Sequence, residues 1–281
     1  MWKKIRRILM IVLAAVFLFC GGTVALVQHQ YNVSKRLYRA ASDTFTSAAS
    51  AEELSVEQEP TPAPAPTAES AKPSRLNDGV YRLPEKAPIK VDFEALKKVN
   101  PDVDGWIYCP GTVIDYPVMH GLSNDTYLYH SYDKTYNASG SIFVDERNQR
   151  YFADPVTILY GHHMASGAMF ATLQWWQLLS YRDEHPIMWI LTPDQDYKVE
   201  LYSAYITSAY SSTYEIPVAG SDPSNYIWMA ENSSDWHINP DLDPTAHYVV
   251  LSTCAYIFED ARSVLHGKMM PVMTAGGVLI Q

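Results

Sequence analysis

The chain has too few cysteines to be a disulfide scaffold. Cys20, Cys109 and Cys254 are the only three in 281 residues, an odd and sparse set. None stands in a Cys-x-x-Cys pair, which argues against a dithiol redox role. The chain also lacks basic excess: 21 Lys and Arg stand against 31 Asp and Glu, a net charge of -10. No basic stripe supplies a phosphate-binding term, so no nucleic-acid partner is expected. His, Cys and Asp do not recur at zinc-like spacing, so no metal is assigned. No carboxylate cluster is assigned to calcium, and no cofactor is expected. Apart from a short proline alternation, no repeat stands out.

What the chain does have is apolar and aromatic material. Hydrophobic residues make up 47% of it, with 20 Tyr and 7 Trp. That is enough for the core of one domain of about 200 residues plus accessory segments. Such aromatic richness favours strands and grooves over a coiled coil.

The first stretch without charge is Ile8 to Val27, after Trp-Lys-Lys-Ile-Arg-Arg at residues 2–7. Its length suits one membrane-spanning helix, and the leading basic residues favour a cytoplasmic N-terminus. Thr23-Val24-Ala25 is a poor cleavage site, and bulky Phe17-Leu18-Phe19 before Cys20 do not fit a lipoprotein signal. An uncleaved signal anchor over residues 1–29 is the expectation. Residues 30–77 turn to Ala, Ser, Glu, Thr and Pro, with Pro60, Pro62, Pro64 and Pro66 in alternation. Such a segment buries too little apolar surface to offset its ordering entropy and reads as a flexible, extended tether. Residues 30–40 are allowed as a continuation of the membrane helix. The folded domain is expected over 78–281, starting near Asn77-Asp78-Gly79.

Within that domain, Val91–Val99 reads as a short amphipathic helix closed by Asn100-Pro101. Strands are predicted at Trp106–Cys109 and Val113–Val118 around a Pro110-Gly111 turn, at Tyr127–His130, Ser141–Val144 and Pro155–Tyr160. A helix of about three turns is predicted around Met169–Leu178 and another over Ser224–Glu231. Further strands are Ile187–Leu191, Tyr197–Tyr202, His247–Thr253 and Ser263–Met269. The sum is a mostly β fold with a few helices: an antiparallel or mixed sheet closed into a barrel.

Three chemically active side chains fall at predicted strand ends. Cys254 closes the run His247–Thr253, His162 follows Tyr160-Gly161, and Arg262 opens the last strand. A thiol needs a neighbour that favours the thiolate. A nearby imidazole serves as general acid and base. A guanidinium donates to a developing oxyanion. Cys254 and Arg262 flank one loop between two antiparallel strands, so their ends can lie side by side.

These residues resemble the sortases. Leu251-Ser252-Thr253-Cys254 matches the sortase nucleophile ending. Asp104-Gly105-Trp106-Ile107, Tyr116-Pro117-Val118, Tyr127-Leu128, Gly140–Asp145, Tyr160-Gly161-His162-His163-Met164 and Gly167-Ala168-Met169-Phe170 look like class B, in its order. The resemblance covers roughly residues 90–270, while Met270-Pro271-Val272 and Gly276-Gly277 depart from the pattern. It implies a sortase-type barrel and a membrane-anchored cysteine transpeptidase of a Gram-positive-type envelope. By position it implies Cys254 as nucleophile, His162 as acid/base and Arg262 as oxyanion or substrate stabiliser, with Thr253 and Ser252 at the substrate cleft. His163 takes a variable position. The implied reaction cuts a C-terminal sorting motif of secreted proteins after Thr and holds the acyl group as a thioester. It then passes that group to an amine of peptidoglycan precursor or of a pilin subunit. No organic cofactor is implied. The alternatives are a thiol hydrolase using the same residues and a non-catalytic anchored binding module.

Overall fold

The computed structural model describes residues 2–50, 86–217, 219–238 and 240–272. The chain divides into two compact units, residues 1–40 and 41–281. Helix α1, Trp2–Phe45, supplies the whole first unit. From Lys4 to Phe45 it is long and apolar enough to cross a membrane, by length and composition. The helix continues past residue 29, where the tether was expected to begin. Strand β1, Thr46–Ala48, then pairs antiparallel with β2, Ile89–Val91. The cause lies in tertiary partners that composition does not reveal. Thr46 Oγ1 donates to the Ser42 carbonyl at 2.8 Å, and Ser42 Oγ donates to Asp115 Oδ2 at 2.6 Å. Asp115 Oδ1 also accepts from Trp106 Nε1 at 2.8 Å. The proline alternation and the expected domain start near Asn77-Asp78-Gly79 lie outside the described residues.

Helix α2, Phe93–Val99, is shorter than the amphipathic pattern suggests. Asp92 caps it by accepting from Ala95 N, and Asn100 closes it by donating its backbone N–H to Leu96 O. Of the apolar positions, only Leu96 is buried, because Val91 belongs to β2. Eight strands then close into a barrel: β3 Val103–Tyr108, β4 Asp115–Met119, β5 Ile142–Val144, β6 Val156–Tyr160, β7 Ile187–Leu191, β8 Asp196–Ser208, β9 His247–Cys254 and β10 Ala261–Val272. Their order around the barrel is β10-β8-β7-β3-β4-β5-β6-β9. The β4–β5 and β6–β9 pairs are parallel; the others are antiparallel. Closure removes free sheet edges.

Two local expectations change. Tyr127–His130 is not a strand: α3, Asn124–Leu128, forms there, capped by Ser123 Oγ on Asp125 N. Asn124 and Glu146 also exchange backbone-to-side-chain hydrogen bonds, both 2.9 Å, which ties this turn to the segment just after β5. The helix around Met169–Leu178 is a 3₁₀ helix over Ala171–Gln177 followed by α4, Leu179–Glu184. Helix α5, Ser224–Asn232, forms where a helix over Ser224–Glu231 is predicted.

The long connection between β8 and β9 covers the outside of the barrel. Tyr226, Ile227 and Ala230 of α5 pack on Val156 and Ile158 of β6, Tyr202 and Tyr205 of β8, Tyr248 and Val250 of β9, and Val264 of β10. Side chains alternate along a strand, so Tyr248, Val250, Ser252 and Cys254 share this outer face. Val249, Leu251 and Thr253 point the other way, into the barrel.

Candidate active site

Cys254 is the last residue of β9 and is half-buried. Arg262 is its Cα partner on β10. Directly opposed residues in an antiparallel pair have Cβ atoms roughly 4.5–5.5 Å apart, so thiol and guanidinium stem from adjacent points of one face. Arg262 Nη1 donates to the Ala261 carbonyl at 3.0 Å, which steadies the fork.

His162 arrives from the other side of β9. Strands β6 and β9 run parallel with Tyr160 paired to Ser252, and Gly161 N donates to Ser252 O at 3.2 Å. Strand β6 ends at Tyr160, and His162 follows just past that end, as Cys254 closes β9 two residues after Ser252. A side chain at residue 161 is impossible without movement: an added Cβ would meet Ile142 Cδ1 at 2.5 Å and Phe170 Cδ2 at 2.8 Å. The glycine therefore lets the chain pass between β5 and the 3₁₀ helix, and His162 follows.

The two histidines have distinct partners. His162 Nε2 lies 2.8 Å from the Leu128 carbonyl. A carbonyl only accepts, so Nε2 carries the proton and, in the neutral ring, Nδ1 holds the lone pair. The ring also leans on Tyr129, with centroids 5.9 Å apart, and the His162 carbonyl accepts from Phe170 N. His163 Nδ1 donates to the carbonyl of Cys254 itself at 2.8 Å. Its ring meets Tyr256 edge-on at 5.3 Å. His163 was expected at a variable position; here it braces the backbone that carries the thiol. Nothing in the sequence separates the two neighbours except the Tyr-Gly spacing.

Pairing sets Cys254 and Arg262 side by side at one end of the outer face, and His162 follows Gly161, whose N–H is bonded to Ser252 O. Ser252 shares that face, its Oγ paired with the Tyr214 hydroxyl at 2.7 Å. Thr253 does not lie on that face. It is buried, and its Oγ1 has no hydrogen-bond partner among the described residues. Strand alternation is the reason: a residue beside the thiol in sequence is on the opposite side of the sheet.

Tyr214, which no sequence motif singles out, closes a 3₁₀ turn over Ser212–Tyr214 in the long connection. Burial pushes its hydroxyl up to about 12, with Ser252, Arg262 and Cys254 all near enough to act on it. Tyr160 stacks on it at 6.4 Å and an interplanar angle of 14°. Cys109 is of a different kind. It is fully buried, and burial pushes its thiol up to about 12, which makes it inert. Among the described residues no group of three or more His, Cys, Asp or Glu is arranged to hold a metal ion.

A closed eight-stranded barrel that pairs a half-buried thiol with a guanidinium at a strand end suits a class of protein: the thiol-dependent acyl-transfer enzymes. Comparison with known proteins narrows it. The chain is 32% identical over 186 residues to Sortase B of Listeria monocytogenes, covering 65% of this chain and 75% of that protein. It superposes on the Staphylococcus aureus sortase B–substrate complex with a TM-score of 0.60 and 29% identity, covering 64% of this chain and 85% of the other. A crystal structure of sortase B complexed with triglycine matches with a TM-score of 0.59 and 30% identity, covering 64% and 86%. No family model matches the chain. The chain belongs to the sortase B family and is a cysteine transpeptidase.

Proposed function

We propose that Cys254 is the nucleophile, His162 the general acid/base and Arg262 the oxyanion donor. The supporting observation is strand pairing: Arg262 is opposite Cys254 on β10, and β6, which leads to His162, pairs with β9 up to Tyr160 opposite Ser252. The Cys254 sulfur, as thiolate, attacks the carbonyl carbon of the Thr in a sorting motif. The new C–S bond leaves negative charge on the carbonyl oxygen, where the Arg262 fork donates. The C–N bond then breaks. Protonated His162 gives its Nδ1 proton to the departing amine, and the Leu128 carbonyl holds Nε2 meanwhile. The thioester keeps the acyl group activated without ATP. An incoming amine loses a proton to His162 and attacks the thioester, and Cys254 leaves as thiolate.

The substrate of this reading is a secreted protein with a C-terminal sorting motif. The acceptor is an amine of a cell-wall precursor or a pilin. A relative seen with substrate and one seen with triglycine support a peptide donor and an amine acceptor. Helix α1 anchors the protein with its N-terminus in the cytoplasm, and the catalytic domain lies outside. Basic residues before the apolar run support that orientation.

Mass spectrometry of the purified chain in detergent, with a panel of sorting peptides, tests this reading. An acyl adduct on Cys254, discharged by a glycine-type amine into a ligated peptide, is the expected result. A reduced Cys254 with every peptide overturns the reading. An adduct that yields only hydrolysed peptide in the presence of amine replaces transpeptidation with hydrolysis.

A further inference from the structure

One ion pair outside the proposed trio is joined to it by an unbroken chain of contacts. Asp145 follows β5 and is fully buried. Arg147 clasps it with two parallel hydrogen bonds, Nε to Oδ1 and Nη2 to Oδ2, each 2.8 Å. Arg147 N also donates to Oδ1 at 3.0 Å. Burial alone would raise the Asp145 carboxyl, but these bonds and the Tyr160 hydroxyl outweigh it and hold the group below its ordinary value.

Both members then reach the cleft wall. The Tyr160 hydroxyl donates to Asp145 Oδ2 at 2.8 Å, which fixes the ring that stacks on Tyr214. Arg147 Nη1 donates to the Tyr214 carbonyl at 3.2 Å. Tyr214 is thus held at its backbone by Arg147, at its ring by Tyr160 and at its hydroxyl by Ser252. Ser252 is two residues before Cys254 on the same face. Tyr214 lies in a 3₁₀ turn and not in a strand; the Tyr226 and Tyr205 hydroxyls hold the turn at Thr213, and the Arg147 and Tyr160 contacts hold it at Tyr214, on the side of the thiol.

We propose that Asp145 and Arg147 are positioning residues for peptide binding, acting through Tyr160 and Tyr214 on the wall beside Cys254. This rests on the reading of Cys254 as the acyl-carrying residue. The pair touches neither substrate nor thiol. Loosening it lets the wall move while Cys254 and Arg262 remain on their strands and His162 keeps its bond to the Leu128 carbonyl. The fork geometry suits this role. A guanidinium grips a carboxylate in two places and still has an N–H for a carbonyl, which an ammonium cannot match.

The experiment uses the full chain in detergent, steady-state turnover of a peptide that acylates the wild type, and alkylation of Cys254 by iodoacetamide. In Arg147→Ala the KM for peptide rises roughly tenfold, as expected when a positioning contact far from the chemistry is lost. Its kcat and its alkylation rate stay within about twofold of wild type. Tyr160→Phe keeps the stacked ring and loses only the bond to Asp145. It raises KM in the same direction, and the double variant is no worse than Arg147→Ala, because the two act as one unit. Arg147→Lys recovers part of the loss. Wild-type KM in both single variants, or a loss confined to kcat, overturns the positioning role. A wild-type chain that forms no adduct fails at the earlier step and overturns the reading of Cys254 instead.

Discussion

Arg262 and Cys254 are cross-strand partners in the β9–β10 ladder, so their proximity is set by backbone pairing and not by a mobile loop. The seven residues between them can vary in conformation without separating the two side chains. Arg262→Lys retains the charge and loses the planar fork. The expected result is a fall in kcat/KM of about 100-fold or more, the usual loss when one oxyanion donor is removed. Alkylation of Cys254 by iodoacetamide, measured alongside, stays within a few-fold. An unchanged kcat/KM removes Arg262 from the mechanism.

The two histidines are separable by their partners. His162→Ala removes the acid/base and is expected to lower kcat/KM by about 10²–10⁴-fold. His163→Phe keeps the edge-on contact with Tyr256 and loses only the bond to the Cys254 carbonyl. Its expected cost is about tenfold at most, roughly one hydrogen bond. Should the larger loss follow His163→Phe, the acid/base role belongs to that residue.

Gly161 is held by space. Gly161→Ala places a methyl against Ile142 and Phe170, and overpacking of this kind costs about 1–3 kcal/mol. Chemical denaturation is the measurement. A variant as stable as wild type means that the strand end shifts freely, and activity then reports whether His162 shifts with it.

His266 makes folding acid-sensitive from inside the domain. It is fully buried on β10, stacked on Tyr205 at 5.2 Å, with Tyr202 and Tyr226 around it and Nε2 at 3.0 Å from the Tyr205 hydroxyl. Burial pushes its imidazole down to about 3. Burial raises all three tyrosines, so none supplies charge near neutrality. The unfolded chain binds a proton on this ring below about pH 6.5, whereas the folded chain does not. Stability is therefore highest above about pH 6.5 and falls as pH drops toward about 3, by at most about 1.4 kcal/mol per pH unit from this group. His266→Gln keeps a polar end for Tyr205 and does not titrate. The loss of stability between about pH 7 and pH 5, read from denaturant midpoints, is expected to be smaller in the variant. Equal losses in both chains place the acid sensitivity elsewhere.

Much of the barrel is legible in the sequence because its strands carry local signals. Val156–Tyr160 and Tyr248–Leu251 are short runs of β-branched, aromatic and apolar residues, as strands covered on both faces require. Pro110-Gly111 marks a turn, and Gly111 adopts a positive φ of 76°. Tyr127-Leu128 misleads because aromatic content favours strands, while the Ser123 cap and the Asn124–Glu146 exchange decide for a helix. Residues 30–48 have the composition of a tether, although the contact with Asp115 that orders part of them spans 73 residues of sequence.

The sequence by itself determined the chemical cast: an unpaired thiol at a strand end, a Gly-His corner, an arginine eight residues on, and an apolar N-terminal run. It also determined the family, since those motifs occur in one order. Only the tertiary structure decided which residues share a face. It put Ser252 beside Cys254 and turned Thr253 into the barrel, because side chains alternate about a backbone whose register other strands set. It gave His163 to the Cys254 carbonyl and brought Asp145, Arg147, Tyr160 and Tyr214 into one line, across separations that no local pattern records.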